Sequence, residues 1–534
     1  MRITIISLSS VVLLLAVSSA FAADSTAVKD TRLVEAVKSG NSTAAIALLQ
    51  KRADPNVAEA DGTAPLHWAV RHDDVMLVER LIRAGANARA ANRYGVTPIA
   101  LACESGSAAI VERLLTAGVS ANATGPQGET ALHTCARSGK ADAVKALLTH
   151  GASVDPGDSW RGQTPLMWAT AEKHPDVMRL LIEAGADVNA RSTIVDWERQ
   201  RTAEPREKWL PPGGLTPLLL AAREGCVECA GILISAGGDI DIVDAENHSA
   251  LVMALINGHL DVARVLIERG IDVNIPDNVG RTALWAAVDF HTVPSSNRPA
   301  PRETDNRLTS MEIITMLLQR NANVDAPLRA QVPFRTKLDR GGDGVLGAGT
   351  TPLLRAAKAG DTQVIALLLE KGANAKATTR NGVNAIMMAA NVGAREEDMT
   401  GRNKTQRDAI ESIARLVAAG ADVNGVDSQG RTAAHGAALW GLTDVVRVLQ
   451  KSGANLDVKE KRGFTPLDVA LGKAGGFGFD GRAAVVRPDT AKTIAEMLGV
   501  ALTSPAAPAT PAAVDRNQDD PQDGDKNDVV GERR

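Results

Sequence analysis

The feature that most constrains this chain is that it repeats itself. A start of the form Thr-Pro-Leu-His, more or less altered, falls at Thr31, Ala64, Thr97, Thr130, Thr164, Thr216, Ser249, Thr282, Thr351, Asn384, Thr432 and Thr465. Successive starts lie 33 or 34 residues apart, except for steps of 52, 69 and 48 that read as one period plus an insertion. A fixed period of this length belongs to a supersecondary unit that cannot bury its own apolar face and must stack on copies of itself. Ser249 to Val279 displays the unit most plainly. One short helical pattern runs from Ser249 to Ile256 and stops at Gly258; a second runs from Leu260 to Glu268 and stops at Gly270. Each Gly suits a helix end that needs φ > 0. Each helix is too short to be stable alone in water.

The repeats carry quotable matches: A-P-L-H-W-A from Ala64, T-A-L-H from Thr130, T-P-L-M-W-A from Thr164, T-P-L-L-L-A-A from Thr216 and T-P-L-L-R-A-A from Thr351. A-G-A-N-A, A-G-A-D-V-N-A and A-G-A-D-V-N-G supply the second half of the unit. On these residues the chain resembles the ankyrin-repeat family from about Lys29 to Leu498. The resemblance implies an all-α solenoid of about twelve repeats, with β-hairpin fingers between them, occupying residues 31–503. It also implies that His67, His133 and His435 bridge neighbouring repeats through backbone. Four insertions interrupt the array: near 191–213 and 327–348 in fingers, and near 291–308 and 394–408 between the two helices of a repeat.

The ends read differently. Arg2, the apolar run Ile3 to Val17 and Ala20-Phe21-Ala22 form a signal-peptide pattern over residues 1–22, with Ala23 as the expected mature start. A lead-in at 23–30 follows. Residues 504–534 are Pro/Ala-rich and then Asp-rich, a composition that cannot order itself. The expectation is an exported protein, periplasmic or extracellular. A net charge of −4 offers no basic field for nucleic acid or anionic lipid. No second long apolar run follows the leader, so no stable membrane insertion is expected after cleavage.

The chemistry-bearing residues form no clear catalytic or metal-binding set, and no cofactor is implied. Cys226 and Cys229 sit at a helix start and are the candidates for a local disulfide or redox pair; plain repeat residues are the other reading. Cys103 and Cys135 lie on neighbouring first helices, one position out of register, with Cα atoms expected beyond the roughly 7 Å that a bridge tolerates. Asp519 to Gly524 has the beginnings of a calcium loop, but Pro521 spoils its third ligand place.

Surfaces remain. In ankyrin-like repeats, recognition positions are finger tips and the last residues of first helices. Those places hold Arg93, Tyr94, Trp160, Arg161, Arg223, Glu224, Phe290, Trp440 and Phe464, and the finger insertions add Trp197, Trp209, Phe334 and Arg335. Trp, Tyr and Arg are the residues that most often dominate interface energy. The two finger insertions are expected to act as jaws about 30 Å apart along one edge. Val392, Leu439, Trp440 and Phe464 are expected either as an apolar surface patch or as the seat of a cap formed by Phe477 or Phe479. The functional expectation is a monomeric, non-catalytic scaffold for a protein partner. A periplasmic accessory that protects or assembles an enzyme is one alternative; an enzyme or metal site built from the insertions is another.

Overall fold

The computed structural model of the protein describes residues 30–196, 200–201, 207–208, 212–292, 306–332, 345–394, 404–474 and 485–502. The leader and the tail lie outside the described residues. Among the described residues there are 24 helices and a single two-stranded ladder.

The unit at 249–279 shows why the sequence folds this way. Ser249 is extended, and its hydroxyl accepts the amide of Val252 at 3.2 Å, which starts the helix Ala250–Ile256. Residues 250–255 are all buried, so this first helix lies between layers rather than on a surface. The chain turns at Gly258 (φ 77°) into the helix Leu260–Glu268. This second helix buries Leu260, Val262, Ala263, Leu266 and Ile267 and exposes its other face to solvent.

First helices stack on first helices and second helices on second helices, giving one continuous core along the array. The stacking of second helices is sparse at one place, between Ser310–Gln319 and Thr362–Glu370.

Two sets of side chains brace each layer to the next. His67, His133 and His435 accept the amide at their own helix start on Nδ1, at 3.1 Å in each case. The opposite Nε2–H therefore donates to the next repeat, to the carbonyls of Val96, Gln163 and Phe464. Beyond the second helices, Asn56, Asn122 and Asn424 do similar work. Each donates to a glycine carbonyl one repeat on (Gly85, Gly151, Gly453) and accepts an amide just after it.

The β-hairpin fingers expected from the family pattern are largely absent as strands. Most fingers close as tight side-chain-capped turns: the Asp277 carboxylate accepts the amides of Val279 and Arg281 and pairs with the Arg281 guanidinium. Asp427 and Arg431 repeat the device. A carboxylate that absorbs the turn's amides leaves few backbone groups for a ladder. The described ladder lies inside the first insertion, Gln200–Arg201 against Glu207–Lys208.

Cys103 and Cys135 correct the sequence expectation. They are disulfide-bonded, with Cα atoms 4.5 Å apart. Small buried neighbours, Ala102, Ala131 and Ala136, let these two first helices approach closely enough. Cys226 and Cys229 are bridged as well, Cα to Cα 5.2 Å.

Candidate partner-binding groove

The ends of the first helices and the finger tips line one face of the solenoid, and that face changes character along its length. In the first seven layers the helix-end residues are open. Lys38, Ser39, Arg71, His72, Glu104, Ser105, Arg137, Glu172 and Ile256 are exposed, while Ser138, Ala171, Arg223, Glu224 and Asn257 are half-buried. From the eighth layer to the tenth the same positions are shut. Asp289, Phe290, Lys358, Ala359 and Val392 are buried and Asn391 is half-buried.

The closed half is built from charges that burial forces into pairs. Arg355, fully buried, donates from Nε to the Asp289 carboxylate at 2.6 Å. His291 bridges two elements, with Nδ1 2.7 Å from the Ser310 hydroxyl and Nε2 3.1 Å from the Asp361 carboxylate. The stems of the insertions reach into this half. Val345, on the returning arm of the second finger insertion, puts its Cγ2 where a side chain on Gly393 would go. Gly393 lies just past the first helix of the tenth layer, so this arm reaches the end of that helix. Lys404 donates to the Met388 carbonyl and lies against Gly360. Asn306, ending the insertion of the eighth layer, reaches back instead to the seventh, where it accepts the Leu260 amide and donates to the Gly258 carbonyl.

Several sequence-predicted positions are thereby relocated. Phe290 faces the closed interior, 8% exposed, and is not a groove contact. Val392 is buried and Leu439, Trp440 and Phe464 are half-buried, so these four form no exposed apolar patch. For Phe290 and Val392 the reason is shared: layers eight to ten are packed over by their own chain. Phe477 and Phe479, the alternative cover, lie outside the described residues, as do Trp197, Trp209, Phe334 and Arg335.

The finger tips of the open half stand clear. Tyr94 is 74% and Trp160 67% exposed, with Arg93 and Arg161 beside them. Inside the groove, two tryptophans that the sequence reading passed over form matching units. Trp68 donates its indole N–H to Glu59 and lies under Lys38 and Arg71. Trp168 donates to Asp158 and lies under Arg137. Both occupy the residue after the fourth motif position, and that register was the available signal. Each ring offers an apolar face held between a carboxylate and a cation.

Two clusters invite a chemical reading. Asp244, Glu246 and His248 converge closely enough to hold an ion. Two of the three are already engaged: His248 Nδ1–H donates to Asp244 at 3.0 Å, and Nε2 accepts from Arg281 at 3.3 Å, which brings its own positive charge. Ser310, His291 and Asp361 line up as nucleophile, base and acid, but Ser310 is fully buried and the line joins layers instead of facing a cleft.

The family described as Ankyrin repeats (3 copies) matches residues 33–125, 109–192 and 218–295, and the family described as Ankyrin repeat matches 348–380 and 429–461. The chain belongs to the ankyrin-repeat family. This ankyrin-repeat protein is 35% identical over 121 residues to cyclin-dependent kinase inhibitor 2A of Monodelphis domestica, a match that takes in 22% of the chain and spans 60% of that relative's length. It also aligns with the crystal structure of the human ASB11 ankyrin repeat domain at 27% identity and a TM-score of 0.37, over 44% of this chain and 96% of that one. Ankyrin repeats are in general protein-interaction modules, and ankyrin-repeat proteins are in general non-enzymatic scaffolds.

Proposed function

We propose that this protein is a non-catalytic, exported scaffold that holds a protein partner along the open half of its groove, from Lys38 to Asn257, with Tyr94 and Trp160 as finger-tip anchors. The observation that carries this reading is the switch from exposed to buried helix ends between Asn257 and Asp289. The chain leaves seven layers free and uses its own residues to fill the next three. Aromatic and arginine side chains cluster on the free part, as interface anchors do. The jaws expected from sequence change accordingly: the described returning arm of the second insertion packs in the filled half, and the first, 191–213, falls between layers five and six of the open one.

Export rests on the leader pattern of residues 1–22 and is supported by two disulfides among the described residues, which persist in oxidising compartments. The test is affinity capture from an envelope extract with the mature chain as bait, followed by affinity measurement on the purified partner. Tyr94→Ala with Trp160→Ala should weaken that partner about tenfold or more. Gln429→Ala with Lys461→Ala, on exposed finger positions of the later layers, should leave binding intact. The opposite pattern would move the binding surface out of the open half.

A further inference from the structure

Cys226 and Cys229 stand at the start of the second helix of the sixth layer. Cys226 is the residue before the helix Val227–Ser235, and its Sγ accepts the Cys229 amide at 3.1 Å. The chain itself shows what this position is built to hold. At the same place before other second helices stand Asp74 and Asp361, whose carboxylates accept the amides of Leu77 and Val364 at 2.9 and 3.0 Å. Asn41 does likewise with its amide oxygen at 3.0 Å. In two layers the cap is therefore an anion, stabilised by the helix N-terminus and a directed N–H. A thiolate on Cys226 takes over that role as the disulfide opens.

Access is asymmetric. Cys229 is fully buried beside Ala230 and Leu233, whereas Cys226 is 8% exposed at the turn just past Arg223 and Glu224. Cys226 is the less buried of the two and sits in the turn before the helix, so an incoming thiolate meets its sulfur first when that turn opens. The second bridge gives an internal reference: Cys103 and Cys135 are both fully buried inside their first helices, away from any helix start.

We propose that Cys226–Cys229 is an exchangeable disulfide that oxidises dithiols, with Cys226 as the sulfur attacked. A thiolate of a dithiol substrate attacks Cys226 Sγ; the bond to Cys229 breaks, and Cys229 leaves as a thiolate that takes up a proton. The substrate's second thiolate then attacks its own sulfur in the mixed disulfide and releases Cys226 as the capped thiolate. The substrate loses two electrons and becomes a disulfide; the Cys226–Cys229 pair gains them and becomes the dithiol. A thiolate held by a helix N-terminus is stabilised relative to a free one, which favours the reduced pair and makes its disulfide the more oxidising.

The test uses the full mature chain equilibrated with graded ratios of reduced to oxidised dithiothreitol, then alkylated and mapped by mass spectrometry. Cys226–Cys229 should be half-reduced at a ratio at least about tenfold lower than Cys103–Cys135. In the reduced protein, iodoacetamide should label Cys226 with a pH midpoint at or below about 7.5, against about 8.5 for an ordinary thiol. Cys229→Ser should trap a mixed disulfide with glutathione on Cys226. Cys226→Asp, which installs the cap found at Asp74 and Asp361, should fold normally and exchange nothing. Reduction of both bridges at one ratio, a labelling midpoint near 8.5, or no trapped adduct on a folded Cys229→Ser protein would overturn the proposal.

Discussion

At the scale of single residues, the histidine brace makes a pH prediction. Burial holds His67, His133, His259 and His435 below the ordinary imidazole value of 6.5. The fold favours the neutral ring, since Nδ1 of His67, His133 and His435 accepts a backbone amide. The unfolded chain binds these protons first, so stability is full above 6.5 and declines as pH falls from there toward the lower folded values. Urea denaturation at pH 7.5 and 5 should give a lower midpoint at pH 5, and the gap should narrow in His133→Gln. An equal gap in that variant would remove His133 from the effect. Leu266, fully buried in the second helix Leu260–Glu268, makes a simpler prediction. Leu266→Ala should cost about 2–5 kcal/mol through the cavity it leaves, read from the same denaturation curves.

At the scale of elements, the helical pairs were legible from residues alone. The pattern Ser249–Ile256 and Leu260–Glu268 places both helices of that unit to within one residue, because Gly258 and Gly270 stop them where φ turns positive. Finger conformation was not legible, since family likeness says nothing of whether Asp277 or a ladder absorbs the turn amides. The bridge Cys103–Cys135 was missed because its feasibility depends on how closely two Ala-flanked helices approach, a distance that spacing does not encode. Phe290 and Val392 were misplaced for a different reason: their register is that of a groove position, but residues far along the chain pack over it. Two measurements belong here. Asp289→Ala takes a carboxylate from the fully buried Arg355, and the loss should be about 3–5 kcal/mol, seen first as local unfolding of layers eight and nine by hydrogen exchange. Replacing both Cys103 and Cys135 by Ala opens a link across 32 residues of chain and should cost about 3–4 kcal/mol, read against wild type in non-reducing urea.

At the scale of the whole molecule, the array divides into an open and a filled part while keeping one core. A solenoid couples mainly neighbouring layers, so filling layers eight to ten leaves the helix ends of the first seven uncovered without dividing the core. Of the insertions that suggested two jaws, the described returning arm of the second packs against the tenth layer. The most direct measurement places a photo-crosslinking amino acid at single positions of the mature chain in complex with its captured partner. Ser105, Ser138 and Ile256 line the open groove, and Glu183 and Lys451 lie at the exposed ends of second helices on the other side. Crosslinks to the partner from the first three and none from the last two is the predicted result. Crosslinks from Glu183 or Lys451 at equal yield, with Ser105, Ser138 and Ile256 silent, would contradict binding along the open groove.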